Sequence, residues 1–227
     1  EGDGRAWITP RQISKDPTPD NPIALQMAQQ PQSGGILYLG RPCQYAGRLI
    51  AQCPNALWSL ERYGPAALSQ LDRILSIYAA QSQAQRIVLV GYSGGGVMAA
   101  LLAGRRTDIA AVITLAANLN VGAWTAHHNI TPLSGSLDPS ALDASGRNAL
   151  ARVPQIHIAG GQDATVPPMI VTQYMATLPP PHRAYVKVES AFNHTCCWAD
   201  DWLRLRQEAL SMLDLVSIAA ARSPGQP

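Results

Sequence analysis

The residues of this chain whose types and order could do chemistry are a serine set between glycines, an aspartate behind a glycine pair, and a late histidine. Gly91-Tyr92-Ser93-Gly94-Gly95 has the form G-x-S-x-G, in which the serine occupies a strained turn between a strand and a helix and small neighbours let the chain pack closely. The pattern is short, so its weight comes from context. Four apolar residues, Ile87-Val88-Leu89-Val90, lie directly before it and the helix-compatible run from Val97 follows. No Gly-Lys-Ser/Thr follows, which sets a phosphate-binding loop aside. A serine hydroxyl is a poor nucleophile near neutral pH. It needs an imidazole to take its proton, and the imidazole needs a carboxylate to hold its tautomer.

Asp163, in Gly160-Gly161-Gln162-Asp163-Ala164-Thr165-Val166-Pro167, falls at the end of a predicted strand and can project toward the serine turn. An ordinary turn or cap role for Asp163 is the plainer reading, and Asp138 is a weaker rival acid. Of the five histidines, His194 comes after Asp163 and after the last predicted strand, in the loop Ala191-Phe192-Asn193-His194-Thr195, and is the candidate base. His182 precedes that strand, and His157 lies inside a strand where a core histidine is expected. Tyr92, Trp124 and His127 are candidate substrate contacts, with His127 and His128 also readable as solvated loop residues.

These groups must be carried by alternating strands and helices. Asp20-Asn21-Pro22 caps a short helix over 23–29, and Ile36-Leu37-Tyr38-Leu39 reads as a buried strand. Ala67, Leu68, Leu71, Ile74, Leu75 and Tyr78 recur at three and four, predicting an amphipathic helix up to Gln83. The run 87–90, continuously apolar, reads as a central parallel strand. Strands at 109–117, 155–159 and 185–188 alternate with helices at 97–103, 169–178 and 198–221. The order implies right-handed crossovers and a mainly parallel sheet with helices on both faces, an α/β class in one domain over 1–227. The long irregular stretch 118–154 reads as a small cap or lid over the strand ends.

The 227 residues are 47% hydrophobic and 14% charged, too apolar for disorder, and no 18-residue apolar run suggests a membrane span. Seventeen basic against fifteen acidic residues, without a like-charge run, offer no footprint for nucleic acid. Cys43, Cys53, Cys196 and Cys197 lack the spacing of a zinc site, so no metal or cofactor is expected. Buried free thiols and disulfides both fit. Low charge and only two lysines favour disulfides in an exported, periplasmic or secreted protein. Cys43 and Cys53 are expected to bridge, Cys196 and Cys197 to pair with each other, and crossed pairing stays open.

Taken together, the chain resembles an α/β-hydrolase from residue 1 to about 219. Its Glu1-Gly2-Asp3-Gly4, Gly40-Arg41-Pro42-Cys43-Gln44-Tyr45 and His194-Thr195-Cys196-Cys197-Trp198 stretches resemble a bacterial subfamily of predicted serine hydrolases. The resemblance implies a Ser93, His194, Asp163 triad that cleaves a small-molecule or lipid-like carboxylic ester through an acyl-enzyme. Peptidase, thioesterase or acyltransferase chemistry, or a non-catalytic binding module, are the alternatives. It also implies that the N-H of Asp3 or Gly4 joins that of Gly94 in facing the oxyanion, with Gly40-Arg41 as a rival site. On that alignment a strand belonging between the fourth and fifth of the fold is missing, and the protein as made is expected to carry residues before Glu1.

Overall fold

The computed structural model of the protein describes residues 1–9, 11–32 and 34–213. A short antiparallel hairpin, β1 (Trp7–Thr9) and β2 (Gln12–Ile13), precedes α1 (Ile23–Ala28). Two 3-10 turns, Gly47–Gln52 and Asn55–Trp58, then lead to α2 (Pro65–Ser82). From there the chain alternates: β3 (Ile87–Tyr92), α3 (Gly94–Ala103), β4 (Ile109–Leu115), α4 (Val121–His127), α5 (Ala144–Arg152), β5 (Gln155–Gly160), α6 (Pro168–Met175), β6 (Ala184–Glu189) and α7 (Trp202–Met212).

The last four strands form a parallel sheet in the order β3-β4-β5-β6. Each crossover steps one strand in the same direction, so right-handed connections place the intervening helices on one face. The packing follows that rule. Ala99, Ala100 and Ala103 of α3, Leu150 of α5 and Tyr174 of α6 cluster with Val112 of β4. The alternate β4 residues Ala111, Ile113 and Leu115, with Ile156 and Ile158 of β5, face Ile23 and Met27 of α1 and Trp202, Leu205 and Ala209 of α7. Helix α3 is buried along its whole length because α2 covers its other side, Leu68 and Leu71 meeting Val97, Met98 and Leu101.

Several sequence expectations change. Residues 36–39 form no ladder, Leu39 O accepts a hydrogen bond from the Glu1 nitrogen at 3.2 Å, and Ile36 and Leu37 are exposed rather than buried. An apolar run becomes a strand only where a sheet edge accepts its backbone bonds. Among the described residues β3 pairs with β4 alone, and its outward Val88 and Val90 are 38% and 39% exposed. The stretch 118–154, read as irregular, holds α4 and α5. The last helix starts at Trp202 rather than 198, and its expected extension over 214–221 lies outside the described residues. The N-terminal hairpin and the 3-10 turns carry no periodic signal and were not expected.

The distance between β3 and α3 is set by glycine. A Cβ on Gly91 would lie 2.5 Å from Gly95 O and 2.5 Å from Gly96 Cα, backbone atoms that cannot move aside. Gly91→Ala is therefore expected to destabilise the protein by about 1–3 kcal/mol. Gly104→Ala meets nothing nearer than the Leu150 side chain at 3.5 Å and should change stability by less than about 1 kcal/mol. Urea unfolding midpoints of the two variants check the contrast, and equal midpoints would refute it.

Candidate active site

Ser93 sits between the end of β3 and the start of α3 with φ 50° and ψ −126°, a left-handed conformation that costs a non-glycine residue energy. It is held there from both sides: Ser93 N-H donates to Leu115 O at 2.9 Å, and Gly96 N-H donates to Ser93 O at 2.9 Å. The N-terminal segment lies directly against this turn. A Cβ on Gly95 would fall 2.4 Å from Glu1 O, and one on Gly94 would fall 2.0 Å from Asp3 Oδ1. Conversely, a Cβ on Gly2 would be 3.2 Å from the Tyr92 ring and 3.4 Å from Ser93 Cβ. The glycines on both sides of the contact thus let two backbones pass at the serine.

Asp163 and His194 come together through their loops. Gly161 N-H donates to Glu189 O at 2.8 Å and Gln162 N-H to Phe192 O at 2.9 Å, which ties the turn after β5 to the loop after β6. The Asp163 side chain is fully buried; Oδ1 accepts Thr165 N-H at 2.8 Å and Val166 N-H at 2.7 Å, leaving Oδ2 to His194 Nδ1 at 2.8 Å. With a carboxylate as its partner Nδ1 is the donor, which in the neutral ring leaves Nε2 as the acceptor. The His194 side chain stays 20% exposed. Its carbonyl accepts Tyr92 Oη-H at 2.7 Å and Trp198 Nε1-H at 2.9 Å, while Asn193 Oδ1 accepts Thr195 N-H and Cys196 N-H. Cys196 is bonded to Cys197, and Cys43 to Cys53 across a Cα separation of 6.0 Å, so the crossed pairing is not the one formed.

The remaining expected residues divide. Tyr92 is 7% exposed, and its hydroxyl donates to the His194 carbonyl, which ties the serine turn to the His194 loop. Trp124 Nε1-H and His128 Nε2-H both reach Thr165 O, at 2.8 and 2.7 Å, and so fasten α4 to the Asp163 turn; His127 stands exposed with its ring 4.9 Å from that of His128. Asp138 caps locally, accepting Gly122 N-H and Ser140 N-H at 2.8 Å each. His157 is buried with Nδ1 2.8 Å from Thr114 Oγ1, and burial lowers its pKa to about 3. At the rival Gly40-Arg41 site, the Arg41 N-H is already committed to Gln44 Oε1 at 2.8 Å. Among the described residues no group of three or more His, Cys, Asp or Glu is placed to hold a metal ion, and no helix is long and apolar enough to cross a membrane.

One cluster escaped the sequence. Asp3 Oδ1 accepts Arg41 Nη1-H at 2.9 Å, and its Oδ2 accepts Arg62 Nη1-H at 2.9 Å and Tyr63 Oη-H at 2.6 Å. Asn118 Nδ2-H extends the set to Tyr63 Oη at 3.1 Å. Burial alone would raise the Asp3 pKa, but the Arg62 and Arg41 charges and the hydrogen bonds outweigh it and hold the carboxyl at about 2. Arg41 and the adjacent Arg62-Tyr63 lie far along the chain from Asp3 and share no spacing signal with it.

A family model of the PGAP1-like alpha/beta domain matches residues 67–211, more than half of the chain. The chain belongs to that family. No curated protein sequence matches it. Among solved structures it is similar to an esterase from Pyrococcus furiosus at 14% identity and a TM-score of 0.52, covering 66% of this chain and 63% of that one. It is similar to a putative dienelactone hydrolase from Klebsiella pneumoniae at 20% identity and 0.50, covering 65% and 60%. A predicted CIB-like hydrolase from Thermoplasma acidophilum aligns at 15% identity and 0.47, covering 65% and 60%. The PGAP1-like chain therefore spans less than two thirds of the length of these three neighbours, and at such identities the likeness is one of fold, the α/β-hydrolase fold.

The Asp3 cluster makes a prediction about acid. Because the folded pKa of Asp3 lies below its ordinary value of 3.8, its ion pairs stabilise the fold above that value and the contribution is lost as pH falls through about 2. The stability difference between wild type and Asp3→Asn should shrink by about 2 kcal/mol between pH 5 and pH 2. Urea unfolding of both proteins across that range measures it; a difference independent of pH would contradict the charged cluster.

Proposed function

We propose that the protein is a serine hydrolase that cleaves a carboxylic ester through an acyl-enzyme. The observation that carries the reading is the 2.8 Å contact between His194 Nδ1 and the buried Asp163 carboxylate, in a loop tied by Tyr92 to the turn that bears Ser93. In this mechanism Nε2 of His194 takes the Ser93 proton as Oγ attacks the ester carbonyl, then returns it to the departing alkoxide. Water repeats the sequence on the acyl-enzyme. The proposed proton transfer requires Ser93 Oγ and Nε2 to be within hydrogen-bond reach in the substrate complex. The oxyanion is held by Asp3 N-H, which has no partner among the described residues, and by Gly94 N-H at the free first turn of α3.

An esterase and a dienelactone hydrolase among the structures of similar fold support ester hydrolysis in general, with peptide and thioester chemistry as the alternatives on the same three residues. The bacterial EGDG and HTCCW subfamily is the narrower placement proposed, with residues 1–227 as one hydrolase domain. Residues 118–154 form its cap, α4 being fastened to the acid turn through Trp124 and His128. There Trp124 and His127 border the small-molecule or lipid-like substrate. The two disulfides support a periplasmic or secreted location.

A fluorophosphonate should label wild-type protein at Ser93 and leave Ser93→Ala unlabelled. Ser93→Ala and His194→Ala should each lower kcat on an ester by about 10⁴-fold or more, and Asp163→Asn by slightly less. Wild-type turnover by Ser93→Ala on every ester the parent cleaves would falsify the mechanism. Mass spectrometry of unreduced protein recovered from an oxidising compartment should find all four thiols blocked; four free thiols would remove the ground for the proposed location.

A further inference from the structure

We propose that Arg41, Arg62 and Gln44 are positioning residues that aim the Asp3 N-H at the oxyanion. The inference rests on the ester-hydrolase reading and goes beyond it, because none of the three hydrogen-bonds Ser93, Asp163 or His194. The argument starts from the Gly2-Asp3 peptide. A trans peptide is planar, with its C=O and N-H pointing in opposite directions. Gln44 Nε2-H donates to Gly2 O at 2.9 Å, and Gln44 is itself oriented by the Arg41 N-H on its Oε1 at 2.8 Å. Holding the carbonyl on one side leaves the Asp3 N-H directed to the other, where it meets no acceptor among the described residues. Gly2 places that peptide against Ser93, its Cβ position 3.4 Å from Ser93 Cβ.

One hinge remains, rotation about the peptide's flanking bonds, and the Asp3 side chain removes it. Its two oxygens are divided between Arg41 and Arg62, with Tyr63 on the second. Arg62 is in turn anchored by Nε-H to Ser59 O at 2.7 Å, and Arg41 by Nη2-H to Arg62 O. The chain of contacts runs from two buried guanidinium groups, through one carboxylate, to the residue whose amide faces the reaction. The same pair also answers an electrostatic difficulty. The Asp3 carboxylate packs against Gly94, at the first turn of α3, where a bare negative charge would oppose the oxyanion. The two guanidinium charges cancel that opposition.

A role confined to stability would leave the split between kcat and KM alone, so the test reads that split. Asp3→Asn and Arg62→Lys loosen the clamp at the carboxylate; Gln44→Met removes the donor on Gly2 O together with the acceptor of the Arg41 N-H, and leaves all three charged side chains of the ion pairs in place. Each is expected to lower kcat on a nitrophenyl ester roughly tenfold with KM within about twofold, and Arg62→Ala to lower it further, toward the roughly hundredfold seen when an oxyanion donor is lost. Affinity for a boronic acid, which forms a tetrahedral anion on the serine, should fall by the same factor as kcat. The conservative lysine should recover part of the alanine defect. Should the arginine variants fail to fold, Gln44→Met decides. Labelled, active wild type with kcat and boronate affinity unchanged in folded variants overturns this inference alone. Wild type that is neither labelled nor active overturns it together with the ester-hydrolase reading.

Discussion

The candidate site depends on a close crossing of backbones at Ser93. A serine held at φ 50° carries conformational strain, and strand, helix and the N-terminal segment all meet at that turn. Gly91, Gly94 and Gly95 make that possible by contributing no side chain where Gly95 O, Asp3 Oδ1 and Glu1 O come within 2.5 Å or less of a Cβ position. The buried helix α3 behind the turn, covered by the sheet on one side and α2 on the other, gives the crossing a rigid backing.

Around that point the molecule arranges two loops with opposite electrostatic characters. Asp163 faces a single imidazole and two backbone donors, which suits the orienting role proposed for it. Asp3 is a carboxylate neutralised by two arginines, at a place where a free charge would be harmful to the proposed chemistry. Two aspartates of the same type thus carry different proposed roles, decided by what surrounds them. Tyr92 joins the two halves: it belongs to the serine turn by sequence and to the His194 loop by its hydroxyl.

The loop that carries His194 is fixed several times over. Tyr92 and Trp198 share its carbonyl, Asn193 caps the next two residues, and a disulfide closes the pair that follows. Such over-determination is expected where a side chain must keep one orientation without being buried, because an imidazole 20% exposed gains little from packing alone.

By itself the sequence determined the α/β class, the positions of most helices, and the candidacy of Ser93, Asp163 and His194. Those features are written locally: apolar period, a glycine-flanked serine, and the order of three residue types along alternating elements. Only the tertiary structure decided the order in which the four strands pair, that 36–39 makes no ladder, and that Tyr92 is turned inward. It also decided that Asp3 is clamped by Arg41, Arg62 and Tyr63, because an ion pair between residues as far apart as 3 and 62 is created by the meeting of loops and leaves no periodic trace. Burial is what gives that pairing its force, since the same three charges spread along an extended chain would each be solvated and indifferent to one another.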